Sequence, residues 1–288
     1  MVGAEPVHIM GETMPSASDE NVEANRICVA VATHKSYRMP TDPMYLPMHV
    51  GKALHPDVDL GFAGDDTGDN ISLKNSWYSE LTGLYWLWKN MDAAYLGLVH
   101  YRRHFETRNM TTRFTSSDRF RRIVSGDEVR ALLREHQIIL PKRRHYVVET
   151  IRSHYEHTLD VRQLDETRKI LTDMCPEYVE AFDHVMAARS AHIFNMFIMS
   201  KGRLTEYCSW LFPVLFELER RIPPDSYDAF GARYPGRVSE RLMDVWIITN
   251  GYPYVEQPVI SPEPVNWVEK GGSFLLAKAG IKKYGKSF

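Results

Sequence analysis

The stretch Gly61–Phe105, GFAGDDTGDNISLKNSWYSELTGLYWLWKNMDAAYLGLVHYRRHF, constrains the fold more than any other part of the chain. It reads as a polar turn, an amphipathic helix, and a short apolar strand that stops in a basic cluster. Asp65, Asp66, Asp69 and Asn70 surround Gly68, a composition that favours a tight turn. Asn70 and Ser72 are both placed to cap the following helix. Leu73, Trp77, Leu81, Leu84 and Trp88 recur at helical spacing and predict one buried face. Lys74, Asn75 and Tyr78 lie off that face near the helix start, where free backbone N–H groups favour an anion. Ala94–Val99 is apolar enough for a strand buried on both faces of a parallel sheet. Such a strand delivers His100, Tyr101, Arg102 and Arg103 at its carboxyl end, where open α/β sheets bind ligands.

The rest of the chain alternates in the same way. ICVAVA (27–32) predicts the first strand, opening into Thr33, His34 and Lys35, and a short strand is expected around Met48–Val50. Asp127–His136 predicts a helix capped by Ser125 or Asp127, followed by the strand QIIL closed by Pro141. Two helices are expected over 150–171 and 176–189, then a buried strand, IFNMFIM (193–199). Long helices over 204–220 and 239–249 follow, and a last strand over 254–260 belongs at a sheet edge because Pro258 has no N–H to donate. In the first of these two helices Trp210, Val214 and Leu218, with Leu211 and Leu215 beside them, read as a core face. Strands alternating with helices predict an α/β fold with a mostly parallel central sheet and a more helical C-terminal half.

Composition narrows the function classes. A formal charge of −2 gives no general attraction to nucleic acid. No run of about 18 apolar residues predicts a membrane span, and the polar N-terminus has no apolar signal core. Cys28, Cys175 and Cys208 are odd in number, lack metal-ligand spacing, and read as small buried hydrophobes of a reducing compartment. The expected location is cytoplasmic, with membrane contact, if any, peripheral at the inner face. Arg102, Arg103, Arg108, Arg113, Arg119, Arg121 and Arg122 form a local basic segment, either a solvated face or a contact for an anionic ligand or headgroup surface.

Two adjacent guanidiniums at a strand end need partners, and arginine's planar fork matches the oxygens of a diphosphate. The competing explanation is pairing of Arg102 and Arg103 with Asp65, Asp66 or Asp69. Those aspartates could instead hold a divalent cation, serve only the turn, or, as Asp69 and Asn70, hydrogen-bond a ribose or sugar. His34, His154 and His157 lack an evident third metal ligand. Asn195, polar within an apolar run, must find a partner in the backbone or in a sugar hydroxyl. Glu240 is expected in the first turn of its helix, as a cap with Ser239, an ion pair with Arg241, or a general base. The chain contains no GxSxG, GxxxxGK[ST] or GxGxxG motif.

Six stretches in order, VATHK (31–35), DDTGDNISLKN (65–75), ELTGLYWLWKN (80–90), YLGLVHYRRHF (95–105), FNMFIM (194–199) and GRVSERLMDVW (236–246), resemble a bacterial capsular and exopolysaccharide biosynthesis family long catalogued as a domain of unknown function. Members of that family are regarded as glycosyltransferases, some associated with galactose or galactofuranose transfer. The layout also resembles a GT-A glycosyltransferase. That resemblance implies a UDP-sugar donor and a growing polysaccharide or lipid-diphosphate-linked glycan as acceptor, the latter suited to the arginine-rich segment. In the GT-A pattern an Asp-x-Asp after a central strand holds Mg or Mn. Here HYRR stands in that place, and Arg102 and Arg103 are expected to neutralise the leaving diphosphate instead of a cation. FNMFIM resembles a strand of related retaining enzymes whose asparagine, here Asn195, touches the donor sugar. Glu240 lies where such folds carry an acceptor-side residue or catalytic acid, and would be the base if the reaction inverts.

The expected organisation is a disordered leader (1–25), a transferase domain (26–260) and a basic tail (261–288). Within the domain, a nucleotide-binding half (26–145) precedes an acceptor half (146–260). Thr33, His34, Lys35, Asp69, Asn70, Lys74, Asn75, His100, Tyr101 and Asn195 are the expected donor-binding residues. Arg102, Arg103 and Glu240 are the expected catalytic ones. A non-catalytic carbohydrate-binding or assembly protein of the same machinery is the alternative. A metal-dependent hydrolase built on the aspartates and histidines is the third reading.

Overall fold

The computed structural model describes residues 26–263. The expected leader and most of the basic tail, residues 264–288, lie outside the described residues. β1 (Ile27–Thr33) is an interior strand of a seven-stranded sheet. On one side it pairs in parallel with β2 (Tyr45–His49), which pairs in turn with β3 (Ala63–Gly64). On the other side it pairs in parallel with β4 (Tyr95–His100). All seven residues of β1 are buried, as expected of a strand flanked on both edges and covered on both faces. Its side chains alternate: Cys28, Ala30 and Ala32 face the larger helical core, and Ile27, Val29 and Val31 face the smaller one. The small residues let helices approach closely on the first face.

Beyond β4 lies β9 (Phe197–Ser200), antiparallel to both its neighbours, then β6 (Ile138–Pro141) and, at the edge, β10 (Val255–Gln257). The expected last strand is two short ones divided at Pro258. β11 (Val259–Ile260) leaves the main sheet and pairs antiparallel with β5 (His104–Phe105). A third small sheet joins β7 (Arg144–His145) to β8 (Ser190–Ala191).

The helix expected after the acidic turn is broken. A short turn over Ser72–Lys74 runs into α1 (Asn75–Tyr78), and α2 (Leu81–Asn90) starts afresh after Ser79. Ser79 has φ 51° and ψ −128°, outside any helical region. The Asn75 amide donates to the Ser79 carbonyl at 2.7 Å, satisfying the group that the break frees. The buried face of α2 is therefore Leu81, Leu84 and Leu87, while Leu73 is 69% exposed and Trp77 and Trp88 are half-buried.

α3 (Met110–Thr115) and α4 (Gly126–Leu133) follow β5, and Ser125 closes a capping box with Glu128. The long helix expected over 150–171 is two helices, α5 (Ile151–Glu156) and α6 (Arg162–Met174), followed by α7 (Val179–Ala187). Chain reversal at β9 falls inside the expected 193–199 strand. Phe194 and Asn195 both have positive φ, 87° and 48°, so only Phe197 onward is extended. α8 (Lys201–Arg221) buries Leu211, Val214, Leu215 and Leu218 as expected, while Trp210 of the expected core face is half-buried. α9 (Tyr234–Asn250) begins five residues before the expected start at Ser239, with Pro235 in its first turn. Glu240 is consequently one turn inside the helix, beyond reach of the helix-start argument. No helix among the described residues is long and apolar enough to cross a membrane.

Candidate active site

The chain leaves β1 toward β2 on one side and returns to β4 on the other. The carboxyl ends of β1 and β4 thus flank a topological switch point, where an open sheet leaves a crevice. A cavity of about 650 Å³ opens there, within the range of pockets that hold small ligands. β1 supplies Thr33 and His34, and the end of β4 supplies His100, Arg102 and Arg103. The opposite wall comes from α1 and the break after it (Asn75, Ser79, Glu80), from Phe194 ahead of β9, and from Arg233, Arg237 and Glu240 around the start of α9.

Tyr101 is buried beneath this cluster as a packing platform, with the His100 ring 4.4 Å and the His34 ring 5.6 Å from its own. The Lys35 ammonium lies 5.3 Å from the Tyr101 ring. Burial, then the Arg103 and Arg102 charges, push His100 down to about 3, so it is neutral at physiological pH. Its Nδ1 accepts the Arg102 backbone N–H at 3.3 Å, which leaves the proton on Nε2 as a donor. Burial first, then Lys35 and Arg102, also lower His34. The positive charge of the cavity therefore rests on arginine.

Arg102 is exposed and Arg103 half-buried. Among the described residues no ion pair or side-chain hydrogen bond holds either guanidinium. Their contacts are with rings, Arg102 at 5.3 Å from Tyr101 and Arg103 at 4.3 Å from Phe194. The proposed pairing with the acidic turn does not form. Asp65 is wholly buried and accepts from the Gly51 and Lys52 amides (2.9 and 3.1 Å) and from the Ser72 and Thr82 hydroxyls (both 2.5 Å). This aspartate ties the loop after β2 to the starts of α1 and α2.

Across the cavity, Arg237 stacks 3.8 Å from the Phe230 ring and has a buried guanidinium nitrogen without a partner. The Arg233 Nε donates to the Ser79 hydroxyl at 3.0 Å. Glu240 pairs with Arg241 at 2.7 Å, the ion pair foreseen from sequence. Glu80 accepts a 2.8 Å hydrogen bond from the Asn195 amide. Burial raises the Glu80 carboxyl most strongly, the Asn195 hydrogen bond lowers it, and the Glu240 charge raises it further. Four arginines against two glutamates leave the lining cationic. Guanidinium and neutral imidazole at the end of β4 are not the oxygen donors that Mg or Mn requires, and among the described residues no three metal-ligating side chains converge.

Of the residues expected from sequence, the fold brings Thr33, His34, Asn75, His100, Arg102, Arg103 and Glu240 to one cavity. Others lie elsewhere. Lys74 is held by Glu219 at 2.5 Å, beside a separate groove lined by Trp77 and Phe216. Asp69 and Asn70 stay on the exposed turn, where Asn90 bonds the Asp69 backbone and Asn70 bonds the Gly68 carbonyl. Asn195 does not line the cavity: its amide reaches Glu80 and the Gly236 carbonyl (2.9 Å), and its oxygen accepts from Ser239 at 2.7 Å. Both polar side-chain atoms of Asn195 are thereby occupied. The basic segment is largely spent internally. Arg113 and Arg122 pair with Glu106, and Arg108 and Arg119 bond the carbonyls of Glu256 and Ser261. His154 and His157 both hold Glu149. Glu80, Arg233 and Arg237 were not singled out from sequence; Arg233 caps the start of α9 and Arg237 lies in its first turn, a pairing that the spacing alone did not mark as a site.

Among solved structures, the apo form of the bifunctional glycosyltransferase WbbM superposes with a TM-score of 0.75 at 30% identity. The match covers 82% of this chain but 45% of that one, so the chain spans less than half the length of its structural relative. The mostly parallel, helix-flanked sheet is thus a glycosyltransferase fold. No curated protein matches the chain. A family model described as a domain of unknown function, DUF4422, matches residues 28–251, and the chain belongs to that family.

Proposed function

We propose that this chain transfers a hexose from a UDP-sugar to a glycan acceptor. The carrying observation is the cavity at the switch point, where Arg102 and Arg103 are unpartnered among the described residues and Arg237 has an unpartnered buried nitrogen. A diphosphate supplies the oxygens that such guanidiniums lack. As the bond from the sugar to the diphosphate breaks, charge accumulates on the leaving oxygen. Fixed cations aimed at that position stabilise the transition state without reorganising. Thr33, His34 and Asn75 line the end suited to the nucleotide, and the Nε2–H of His100 adds a neutral donor beside the phosphates. A carboxylate on the opposite wall, Glu80 or Glu240, receives the acceptor proton. On this reading the segment 26–145 carries the donor, and α9 and its approach carry the acceptor side. The resemblance to polysaccharide-biosynthesis proteins supports a galactose-type donor and a capsular or lipid-linked glycan acceptor. UDP release is to be measured with a panel of UDP-sugars, with and without chelator. Turnover that survives chelation supports arginine-based neutralisation. Saturable glycan binding with neither UDP binding nor UDP release refutes transfer and favours an assembly role.

A further inference from the structure

We propose that Glu80 is the catalytic base that takes the proton of the acceptor hydroxyl, and that transfer therefore inverts the anomeric centre. This inference rests on the glycosyl-transfer reading above. Its support is a concentration of strained backbone at one wall of the cavity. Among the described residues the non-glycine residues with positive φ are Ser79, Phe194 and Asn195. Ser79 and Phe194 line the cavity, and Asn195 bonds Glu80. Conformations of this kind persist only where the surroundings over-determine them, and they gather at functional sites. Here they share one consequence. The break at Ser79 turns Glu80 out of the helix and into the cavity, and the reversal at Phe194–Asn195 brings an amide against its carboxylate.

The direction of that hydrogen bond is set by the network. The Gly236 carbonyl can only accept, so the Asn195 nitrogen faces it, and the second N–H of the same nitrogen points to Glu80 Oε1. Ser239 donates to the remaining oxygen. Asn195 is thus a positioning residue that orients Glu80. Gly236 permits the arrangement: a Cβ there would come within 3.3 Å of the Tyr78 carbonyl. Glu240, by contrast, is neutralised by Arg241 at 2.7 Å. The charged groups around Glu80 are Glu240 and Arg233 on the α9 side and Arg103 from the end of β4. Burial raises Glu80 above the usual glutamate range, which makes it the stronger proton acceptor.

In the step, the acceptor O–H proton passes to a Glu80 carboxylate oxygen. The acceptor oxygen's electron pair forms the new bond to the anomeric carbon. The bond from that carbon to the β-phosphate oxygen breaks, its pair leaving with UDP beside Arg103. Glu80 then returns its proton to solvent.

The test uses Glu80→Gln, which keeps an acceptor for Asn195, with a UDP-sugar that the wild type turns over. Expected are a kcat lowered about 100-fold or more, UDP affinity within about twofold, and loss of the acid limb from the pH profile of kcat/KM. Glu240→Gln keeps that limb. Asn195→Asp places a like charge on Glu80 and moves the limb to higher pH. A donor with an α linkage is expected to give a β product. Wild-type turnover by E80Q, an acid limb that persists in it, or a product that keeps the donor's configuration overturns the assignment while leaving transfer intact. Failure of the wild type to release UDP from any UDP-sugar removes the parent reading, and this one with it.

Discussion

Replacing Arg103 by alanine separates a ligand-binding guanidinium from a structural one. The side chain is half-buried, has no ion-pair partner among the described residues, and contacts the Phe194 ring at 4.3 Å. Removing it from the free protein costs a cation–π contact worth about 0.5–1 kcal/mol. Burial, the largest influence on Arg103, already opposes its charge, so losing that charge offsets part of this cost. For a domain of this size the midpoint of thermal unfolding is expected to move by no more than about 3 °C. A structural arginine in a buried ion pair would instead cost about 3–5 kcal/mol on truncation. Binding should respond in the opposite way. Charge-assisted hydrogen bonds to a diphosphate are worth about 1.5–3 kcal/mol, so the UDP dissociation constant should rise about 10- to 100-fold. Isothermal titration with UDP and thermal unfolding of the same R103A sample measure the two quantities. UDP affinity within twofold of wild type, or a fall in unfolding temperature near 10 °C, refutes the assignment of Arg103 to the diphosphate.

Three further outcomes are expected. Asp65→Ala removes the acceptor of four hydrogen bonds, three of them buried, and should destabilise the protein by about 3 kcal/mol or more, read from urea unfolding. Lys74→Ala should leave UDP affinity within twofold, because Lys74 is engaged by Glu219 away from the cavity; a tenfold loss would contradict that placement. His104 is wholly buried, and burial pushes it down to about 4. Its neutral form is the folded one, so its contribution is intact above about pH 6.5 and drains away as pH falls toward 4. That contribution is about 3 kcal/mol, and His104→Gln should flatten the stability profile across this window.

Strands were the most legible part of the chain. ICVAVAT and the run through Val99 are apolar on both faces because the sheet interior is covered on both, and that requirement is written residue by residue. Of the local caps, Ser125 was among those expected, and it acts within one turn with Glu128; the capping box of Thr150 with Ser153 emerged only in the structure. The basic cluster at the end of β4 followed directly from the strand's end point. Less accessible was whatever depended on a backbone break. Leu73, Trp77 and Leu81 continue a helical spacing, yet a positive-φ Ser79 interrupts it, stabilised by an Asn75 side chain whose role no periodicity reveals. Asn195 reads as a polar residue within a strand, and only the reversal before β9 shows that it holds a carboxylate.

The sequence by itself determined where charge ends a buried strand, and hence that Arg102 and Arg103 needed a partner, because desolvating a guanidinium is costly wherever the chain folds. Which groups would face them was decided only in three dimensions. Glu80 stands 115 residues from Asn195, and Gly236 stands 41 residues beyond that. Contacts across such separations depend on sheet order and on two positive-φ breaks in the backbone, neither of which leaves a periodic trace in the chain.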